Sequence, residues 1–311
     1  MVPTAYIPTL DGRERLRLAL DSLRGQTVRC DVVVVDNGST DGTQSMVRDE
    51  FPECLLIELR QNHGFGSALN QAISGSGEGP ILLLNNDVIL EPGFVAEISA
   101  TAEATGAEMI AGVLLRDDGS GEIDSAGVIA DRGTLMAFDF LEGRPAGAVD
   151  TAETPLGPSG GAALYDRAAF NAVGGFDPEI FAYYEDLDLA LRMRLRGYRC
   201  ALSKNARGTH SRSATLGSRS SAKYGITGWS RGYLICRYGV MTTFSGAVRT
   251  IVLEGFVCLG QILVERTASG LRGRIKGWRA ASGMPRRRLP EEGLTRVSTR
   301  RAILERLRRL P

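Results

Sequence analysis

Short runs of aliphatic residues recur along the first third of the chain, and each stops on a polar or acidic residue. Ala5–Tyr6–Ile7 is bracketed by Pro3 and Pro8; Asp31–Val32–Val33–Val34–Val35–Asp36, Leu55–Leu56–Ile57–Glu58–Leu59 and Ile81–Leu82–Leu83–Leu84 follow. Runs of this length, apolar at nearly every position, predict strands buried on both faces of a parallel sheet. Between them the period lengthens to that of a helix. Leu16, Leu18, Ala19, Leu20 and Leu23 fall on a helix over Arg13–Leu23, a second helix is expected over Thr43–Glu50, and a third carries Leu69, Asn70 and Ala72. Strands alternating with helices through short connections predict an α/β fold with a mostly parallel, doubly wound sheet.

Beyond this the pattern is less regular. Gly112 to Pro158 reads as short strands and loops, Ser159–Gly160–Gly161 as a close-approach loop, and Ala162–Ala163–Leu164–Tyr165 as a strand. A helix starting at Asp166 is terminated by Gly174–Gly175. Leu187, Leu191 and Leu195 recur every fourth residue, predicting a helix with a buried stripe that ends at Gly197, with Asp188 and Arg192 as a surface i,i+4 pair. Tyr198–Arg199–Cys200–Ala201–Leu202 is the expected last strand. Gly225 to Val264 is apolar and helical, and Glu254, Gln261 and Glu265 share one face, an amphipathic pattern that packs on the body, on a second subunit or in a membrane interface. Its longest uncharged run, Gly255–Val264, is too short for a confident membrane span.

Composition changes little in this picture, but charge does. Hydrophobic content of 43% and charged content of 23% are ordinary for a globular chain of 311 residues. The net charge of +1 hides a division: from Arg266 onward there are 14 Lys and Arg against 3 Asp and Glu, whereas the first 265 residues hold 23 against 33. An acidic body with a basic end predicts an anionic partner for that end. Nucleic acid is not expected, since no nucleic-acid-binding motif accompanies the charge. Five scattered cysteines without a C-x-x-C pair predict reduced thiols in a cytoplasm, and no secretory signal is expected.

The candidate chemistry lies at the strand ends. Ligands of open α/β sheets bind beyond the carboxyl ends of strands. Thr9, Asp36, Asn62 and Asp87 follow four successive strands and would share one edge. Asn85–Asn86–Asp87 is either a plain turn or a ligand site, with Asp87 offering hard oxygen to Mg²⁺ or Mn²⁺. Glu185 and Asp186 either suit the positive end of a helix dipole or are functional acids. His63 reads as structural, and His210 matters only if the fold returns it to Asp87. Neither a G-x-G-x-x-G nor a G-x-x-x-x-G-K-[ST] loop is present.

Taken in order, Ile7–Pro8–Thr9, Val34–Val35–Asp36–Asn37–Gly38–Ser39–Thr40–Asp41–Gly42, Asn62–His63–Gly64–Phe65–Gly66 with Asn70, Asn85–Asn86–Asp87, Gly174–Gly175–Phe176–Asp177 and Tyr184–Glu185–Asp186–Leu187–Asp188 form a recognisable series. From about Thr4 to His210 the chain resembles the inverting family-two glycosyltransferases of the GT-A fold, particularly the rhamnosyltransferase-like branch. The resemblance implies a GT-A domain over residues 1–223 and a helical, basic extension over 224–311. It implies a nucleotide-diphosphate sugar donor, dTDP-rhamnose being one candidate, held by Pro8, Thr9, Asp36, Asn62, Gly64, Gly66, Asn70, Asn85 and Asn86. Asp87 matches the last acid of the D-x-D metal motif, whose first acid is here Asn85, and His210 falls where some relatives supply a further ligand, for Mg²⁺ or Mn²⁺. Asp186 matches the catalytic base, and Gly160, Gly161, Tyr184 and Glu185 are placed toward a glycan or lipid-linked acceptor. The implied setting is cell-wall or polysaccharide synthesis, with the enzyme peripheral on the inner face of the cell membrane and an anionic membrane surface, or a second copy in a homo-oligomer, meeting the basic end. The alternatives are a nucleotidyltransferase, which would need a basic, Gly-rich phosphate loop in place of Pro8–Thr9–Leu10–Asp11–Gly12, and a non-catalytic sugar-nucleotide-binding relative.

Overall fold

The computed structural model describes residues 2–211 and 220–297. Two compact units divide the chain: the first holds the described residues of Met1–Val128, Asp139–Phe181 and Glu185–Thr215, the second those of Ile129–Phe138, Ala182–Tyr184 and Leu216–Pro311.

The first unit opens with β1 (Thr4–Thr9), α1 (Arg13–Arg24), β2 (Asp31–Asp36), α2 (Thr43–Glu50), β3 (Leu55–Glu58), α3 (Phe65–Gly75) and β4 (Ile81–Leu84). It continues through β5 (Val88–Leu90), α4 (Phe94–Thr105), β6 (Met109–Arg116) and β7 (Ile123–Ser125). A hairpin of β8 (Val128–Ala130) and β9 (Ala137–Asp139), the latter followed by a 3₁₀ turn at Ala146–Thr151, leads to β10 (Ala162–Tyr165), α5 (Arg167–Ala172), α6 (Glu185–Leu195) and β11 (Cys200–His210). The main sheet runs β3-β2-β1-β4-β10-β6-β11-β5, with β7 beside β6. β3, β2, β1 and β4 are parallel; β10 runs against both β4 and β6; β11 follows β6, and β5 opposes β11. Six of the nine strands therefore share one direction, and the predicted α/β architecture is found.

Side-chain alternation explains why these strands read as continuous apolar runs. Ala5, Ile7, Val34, Leu82 and Leu84 bury one face against Leu16, Leu20 and Leu23 of α1, Met46 and Val47 of α2, and Phe94, Val95 and Ile98 of α4. The intervening Tyr6, Val33, Val35, Ile81 and Leu83 point to the opposite face and are equally buried.

Three expectations are corrected. β11 does not stop at Leu202: it resumes beside β6 after a register shift and runs on to His210. Leu195 lies outside the buried stripe of α6 and is 44% exposed, because the helix ends there, while Leu187 and Leu191 are fully buried. The Asp188–Arg192 pair is not a surface pair. Asp188 is wholly buried and accepts a 2.7 Å hydrogen bond from Arg192 Nε, while Arg192 Nη1 donates to the carbonyl of Val173.

The second unit consists of the β8–β9 turn region and α7 (Ser221–Arg237), α8 (Phe244–Leu263) and α9 (Ser269–Ala281). α7 and α9 meet through glycines. A Cβ on Gly228 would lie 2.3 Å from the Gly270 carbonyl, one on Gly232 2.0 Å from that of Arg274, and one on Gly277 1.9 Å from that of Trp229. Gly225, Gly228 and Gly232 repeat the spacing of Gly270, Gly273 and Gly277, so two smooth helix faces press backbone to backbone. Arg231 is buried between them and α8. It donates to the carbonyls of Thr134 and Leu135 and pairs with Glu254, whose second oxygen accepts from Arg274 Nε at 2.6 Å.

Candidate active site

Four strand ends and one returning strand build the site, all within the first unit. The parallel register puts Thr9 directly opposite Asp36, and the Thr9 carbonyl accepts from the Asn37 amide at 2.9 Å. Asp36 is buried at the end of β2. Its carboxylate accepts from the Ser39 amide and, at 2.7 Å, from Gln44 Nε2. The turn after β4 is fastened to β1 by Asn86, whose Nδ2 donates to Thr9 Oγ1 at 2.9 Å. Gly12 makes room for it, since a Cβ there would come within 2.5 Å of that nitrogen. The Asn85 amide donates to the Gly161 carbonyl at 3.2 Å, and the next amide back, that of Gly160, donates to Asp186 Oδ2 at 3.2 Å. Hydrogen bonds and adjacent peptide links thus run from Asp36–Asn37 through Thr9, Asn86–Asn85 and Gly161–Gly160 to Asp186.

The continuation of β11 delivers His210 to this edge. Its Nε2 lies 3.1 Å from Asp87 Oδ1, and its Nδ1 lies 2.7 Å from Oδ2 of Asp124, a buried acid on β7. Burial pulls the imidazolium down, but the hydrogen bond with Asp124 and the nearby charges of Asp124 and Asp87 outweigh it and hold His210 at about 9. Asp124 escapes sequence reasoning because Glu122–Ile123–Asp124–Ser125 has no motif around it; only the fold places it against His210.

Among the described residues no group of three or more His, Cys, Asp or Glu side chains is arranged to hold a metal alone. Asp87 Oδ1 is nonetheless buried without a well-aligned hydrogen bond. The Asp87 carboxylate oxygen, with His210 Nε2 once it gives up its proton, fits a divalent cation that takes its remaining ligands from substrate phosphates and water.

The loop between β3 and α3 supports the site from behind. Asn37 Nδ2 donates to Asn62 Oδ1 and the Gly64 carbonyl, and Asn37 Oδ1 accepts from the His63 amide. Gly64, at φ 83°, packs so closely that a Cβ would meet the Phe181 carbonyl at 2.3 Å; Gly66 is pressed in the same way against the Phe176 side chain. Asn70 binds the Phe176 backbone at both ends, with Nδ2 donating to its carbonyl and Oδ1 accepting from its amide. In this structure Asn62, Gly64, Gly66 and Asn70 shape and fasten loops. Pro8 lies inside β1 beside Thr9.

At the start of α6, Glu185 is buried with Oε2 unpartnered, and Asp186 is half-buried, its Oδ1 accepting from the Leu187 amide. Burial raises both carboxyls, and the charge of Asp186 lifts Glu185 further, to about 8. The two residues before them, Tyr183 and Tyr184, both adopt left-handed φ, at 65° and 71°. Such backbone costs bulky residues about 1–3 kcal/mol each and persists where its surroundings hold it. Within the second unit, the Arg231 guanidinium lies over the Tyr184 ring, 5.5 Å from its centroid.

A sheet of this order with its polar edge assembled at the carboxyl ends of β1, β2 and β4 defines a class, and sequence comparison places the chain within it. Residues 4–174 match the family model Glycosyl transferase family 2, and the chain belongs to that family. It is a glycosyltransferase of GT-A fold. It is 29% identical over 208 residues to the N-acetylglucosaminyl-diphospho-decaprenol L-rhamnosyltransferase of Mycobacterium tuberculosis, covering 60% of this chain and 68% of that protein. Over 200 residues it is 28% identical to the succinoglycan biosynthesis protein ExoA of Rhizobium meliloti, with 62% and 58% covered. Among solved structures it resembles a Pyrobaculum calidifontis mannosyltransferase in complex with GDP-Man and Mn²⁺, at TM-score 0.55 and 17% identity, covering 91% of this chain and 75% of that one. GalNAc-T7 with UDP, GalNAc and Mn²⁺ superposes at TM-score 0.63 and 13% identity, covering 92% and 55%.

Proposed function

We propose that this glycosyltransferase moves a sugar from a nucleotide-diphosphate donor, with dTDP-rhamnose the first to test, to a lipid-linked or glycan acceptor, inverting the anomeric centre. What supports the reading is the convergence of Thr9, Asp36 and Asn86–Asp87 on one sheet edge with His210 returned to 3.1 Å from Asp87. Asp36 and Thr9 hold the nucleoside, with Pro8, Asn85 and Asn86 lining the donor side and Asn62, Gly64, Gly66 and Asn70 keeping its loops in place. Asp87 and His210 would hold Mg²⁺ or Mn²⁺, which stabilises charge on the departing diphosphate as a Lewis acid. Asp186 takes the proton of the acceptor hydroxyl while its oxygen attacks the anomeric carbon. A single displacement leaves the configuration inverted. Gly160, Gly161 and Glu185 shape the acceptor side.

The relatives named for a decaprenol-linked substrate and for succinoglycan synthesis favour a cell-wall or polysaccharide role. Residues 1–223 carry the transfer, and the basic extension over 224–311 keeps the enzyme at the inner face of the cell membrane, where a lipid-linked acceptor is presented. The test is thermal shift against dTDP-, UDP- and GDP-sugars with Mn²⁺ and with EDTA, followed by product anomeric analysis by NMR. One nucleotide class should stabilise the protein only with metal, and the product should be inverted. A retained configuration, or donor binding indifferent to EDTA and to Asp87→Ala, would refute the reading.

A further inference from the structure

α8 is packed the wrong way round for a helix of a protein surrounded only by water. The polar face shared by Glu254 and Gln261 points into the second unit: Glu254 is ion-paired with Arg231 and Arg274, and Gln261 lies against Gly270. The outward face is aliphatic and aromatic. Phe244 is 88% exposed, Ile251 59%, Leu259 53% and Leu263 68%, with Val248 and Val252 between them. These positions recur at i, i+4, i+7, i+8, i+15 and i+19, a single stripe along nearly the whole helix. A run of uncovered apolar side chains this long marks a contact surface.

α9, tied to α8 through Arg274 and Glu254, carries a second exposed stripe of Leu271, Ile275 and Trp278. Each of these is followed at once by an exposed cation, Arg272, Lys276 and Arg279. Apolar residues interleaved with Arg and Lys, with a Trp among them, suit the boundary between hydrocarbon and lipid phosphate, where aromatic rings settle and long basic side chains reach the headgroups. The described chain continues with Arg286, Arg287, Arg288 and Arg296 against Glu291 and Glu292, so the charge around the stripe is that of a partner for an anionic surface.

By length and composition α8 could cross a membrane. Its packing favours another arrangement. Glu254 at mid-helix is locked in a buried ion pair, and Arg249 pairs with Asp131 and donates to the Val297 carbonyl. One side of the helix is therefore committed to protein along its length.

We propose that α8 lies in the plane of an anionic lipid surface, with its Phe244–Leu263 stripe in the acyl boundary and the cations of α9 at the phosphates. The proposal rests on the membrane setting of the function given above and supplies the surface responsible for it. The full chain should co-sediment with vesicles of phosphatidylcholine and phosphatidylglycerol, bind pure phosphatidylcholine at least about tenfold more weakly, and lose affinity at high salt. Ile251→Asp with Leu259→Asp should lower binding to the anionic vesicles by about tenfold or more at unchanged melting temperature. Arg272→Glu with Lys276→Glu, a variant that leaves the apolar stripe intact, should abolish the preference for anionic lipid. Absence of vesicle binding by the intact chain overturns the proposal. So does undiminished binding of the Ile251→Asp, Leu259→Asp protein, which would assign attachment to the basic end alone. A dimer that this variant converts to monomer, without lipid binding, would give the stripe to a second copy, and resistance to alkaline carbonate extraction would make α8 a span. Nucleotide-sugar thermal shift on the same samples is independent of all these outcomes, so failure of the docking surface and failure of the transferase reading are told apart.

Discussion

Asp186 accepts hydrogen bonds from two backbone amides, which fix its carboxylate while leaving it half-buried. Asp186→Asn keeps the shape but cannot take a proton, so transfer should fall about 10²–10⁴-fold while donor affinity by calorimetry stays unchanged. Burial raises both carboxyls of the Glu185–Asp186 pair, and the charge of Asp186 raises Glu185 further. With Asp186 as the proposed base, the acid limb of kcat/KM should lie above 3.8, the ordinary aspartate value, because burial raises its carboxyl and a base must be ionised to accept a proton. Glu185→Gln imitates the protonated neighbour and should retain that limb; loss of the limb would move the base to Glu185. Asp124 acts through His210. Asp124→Asn removes the charge that orients the ring and should weaken Mn²⁺ affinity about 10–100-fold in a titration with nucleoside diphosphate present, the usual worth of such a partner.

At the scale of elements, α6 is held by an ion pair rather than decorated by one. Asp188→Ala removes the wholly buried carboxylate that the half-buried Arg192 guanidinium is paired with, and urea unfolding should show a loss of about 3 kcal/mol. The effect belongs to stability and not to proton transfer, so activity per folded molecule should change far less than in Asp186→Asn. α7 and α9 pose the opposite problem, since their contact depends on missing side chains. Gly232→Leu places its Cβ 2.0 Å from the Arg274 carbonyl and must separate the helices. Loss of the Trp229 environment, read by fluorescence, should follow, while donor binding in the first unit persists.

For the whole molecule, charge and tryptophan are both partitioned. Trp229 and Trp278 are the only tryptophans, and both lie in the second unit, so their fluorescence follows that unit alone. Burial raises Glu254, but Arg231 and Arg274 outweigh it and depress its carboxyl from 4.5 to about 2. The unfolded chain then binds the proton first on acidification. Stability from this group is present above about pH 4.5, on the order of 3 kcal/mol, and is lost as pH falls toward 2. Glu185 runs the other way: its raised carboxyl favours the folded first unit at low pH, and that contribution fades as pH rises from 4.5 to about 8. Acid titration should therefore shift the tryptophan-reported midpoint down before the far-ultraviolet midpoint of the whole chain. Coincident shifts, or an unchanged tryptophan transition in Glu254→Gln, would contradict the assignment.

The order of β1 to β4 and their helices was legible because each buried strand is a run of aliphatic residues and each helix carries its own period. β1, however, runs past the expected stop at Pro8 to Thr9, since parallel pairing with β2 continues through Val35 and Asp36. Thr9, Asp36 and Asp87 could be aligned on one edge because parallel strands end on the same side. The matched glycine spacing of α7 and α9 also stands in the sequence, although isolated glycines more often mark turns than helix contacts. Three things lay beyond reach of a linear pattern. His210 meets Asp87 only because β11 survives a register shift, and Asp124 joins them through the antiparallel pairing of β7 with β6. Asp188 is buried because α6 packs on the side that an i,i+4 pair usually turns to water. The polar face of α8 is inside because Arg231 and Arg274 come from two other helices to neutralise Glu254. Local periodicity states which residues share a face. Which face is covered, and by what charge, depends on side chains distant in the chain, and only tertiary packing decides it.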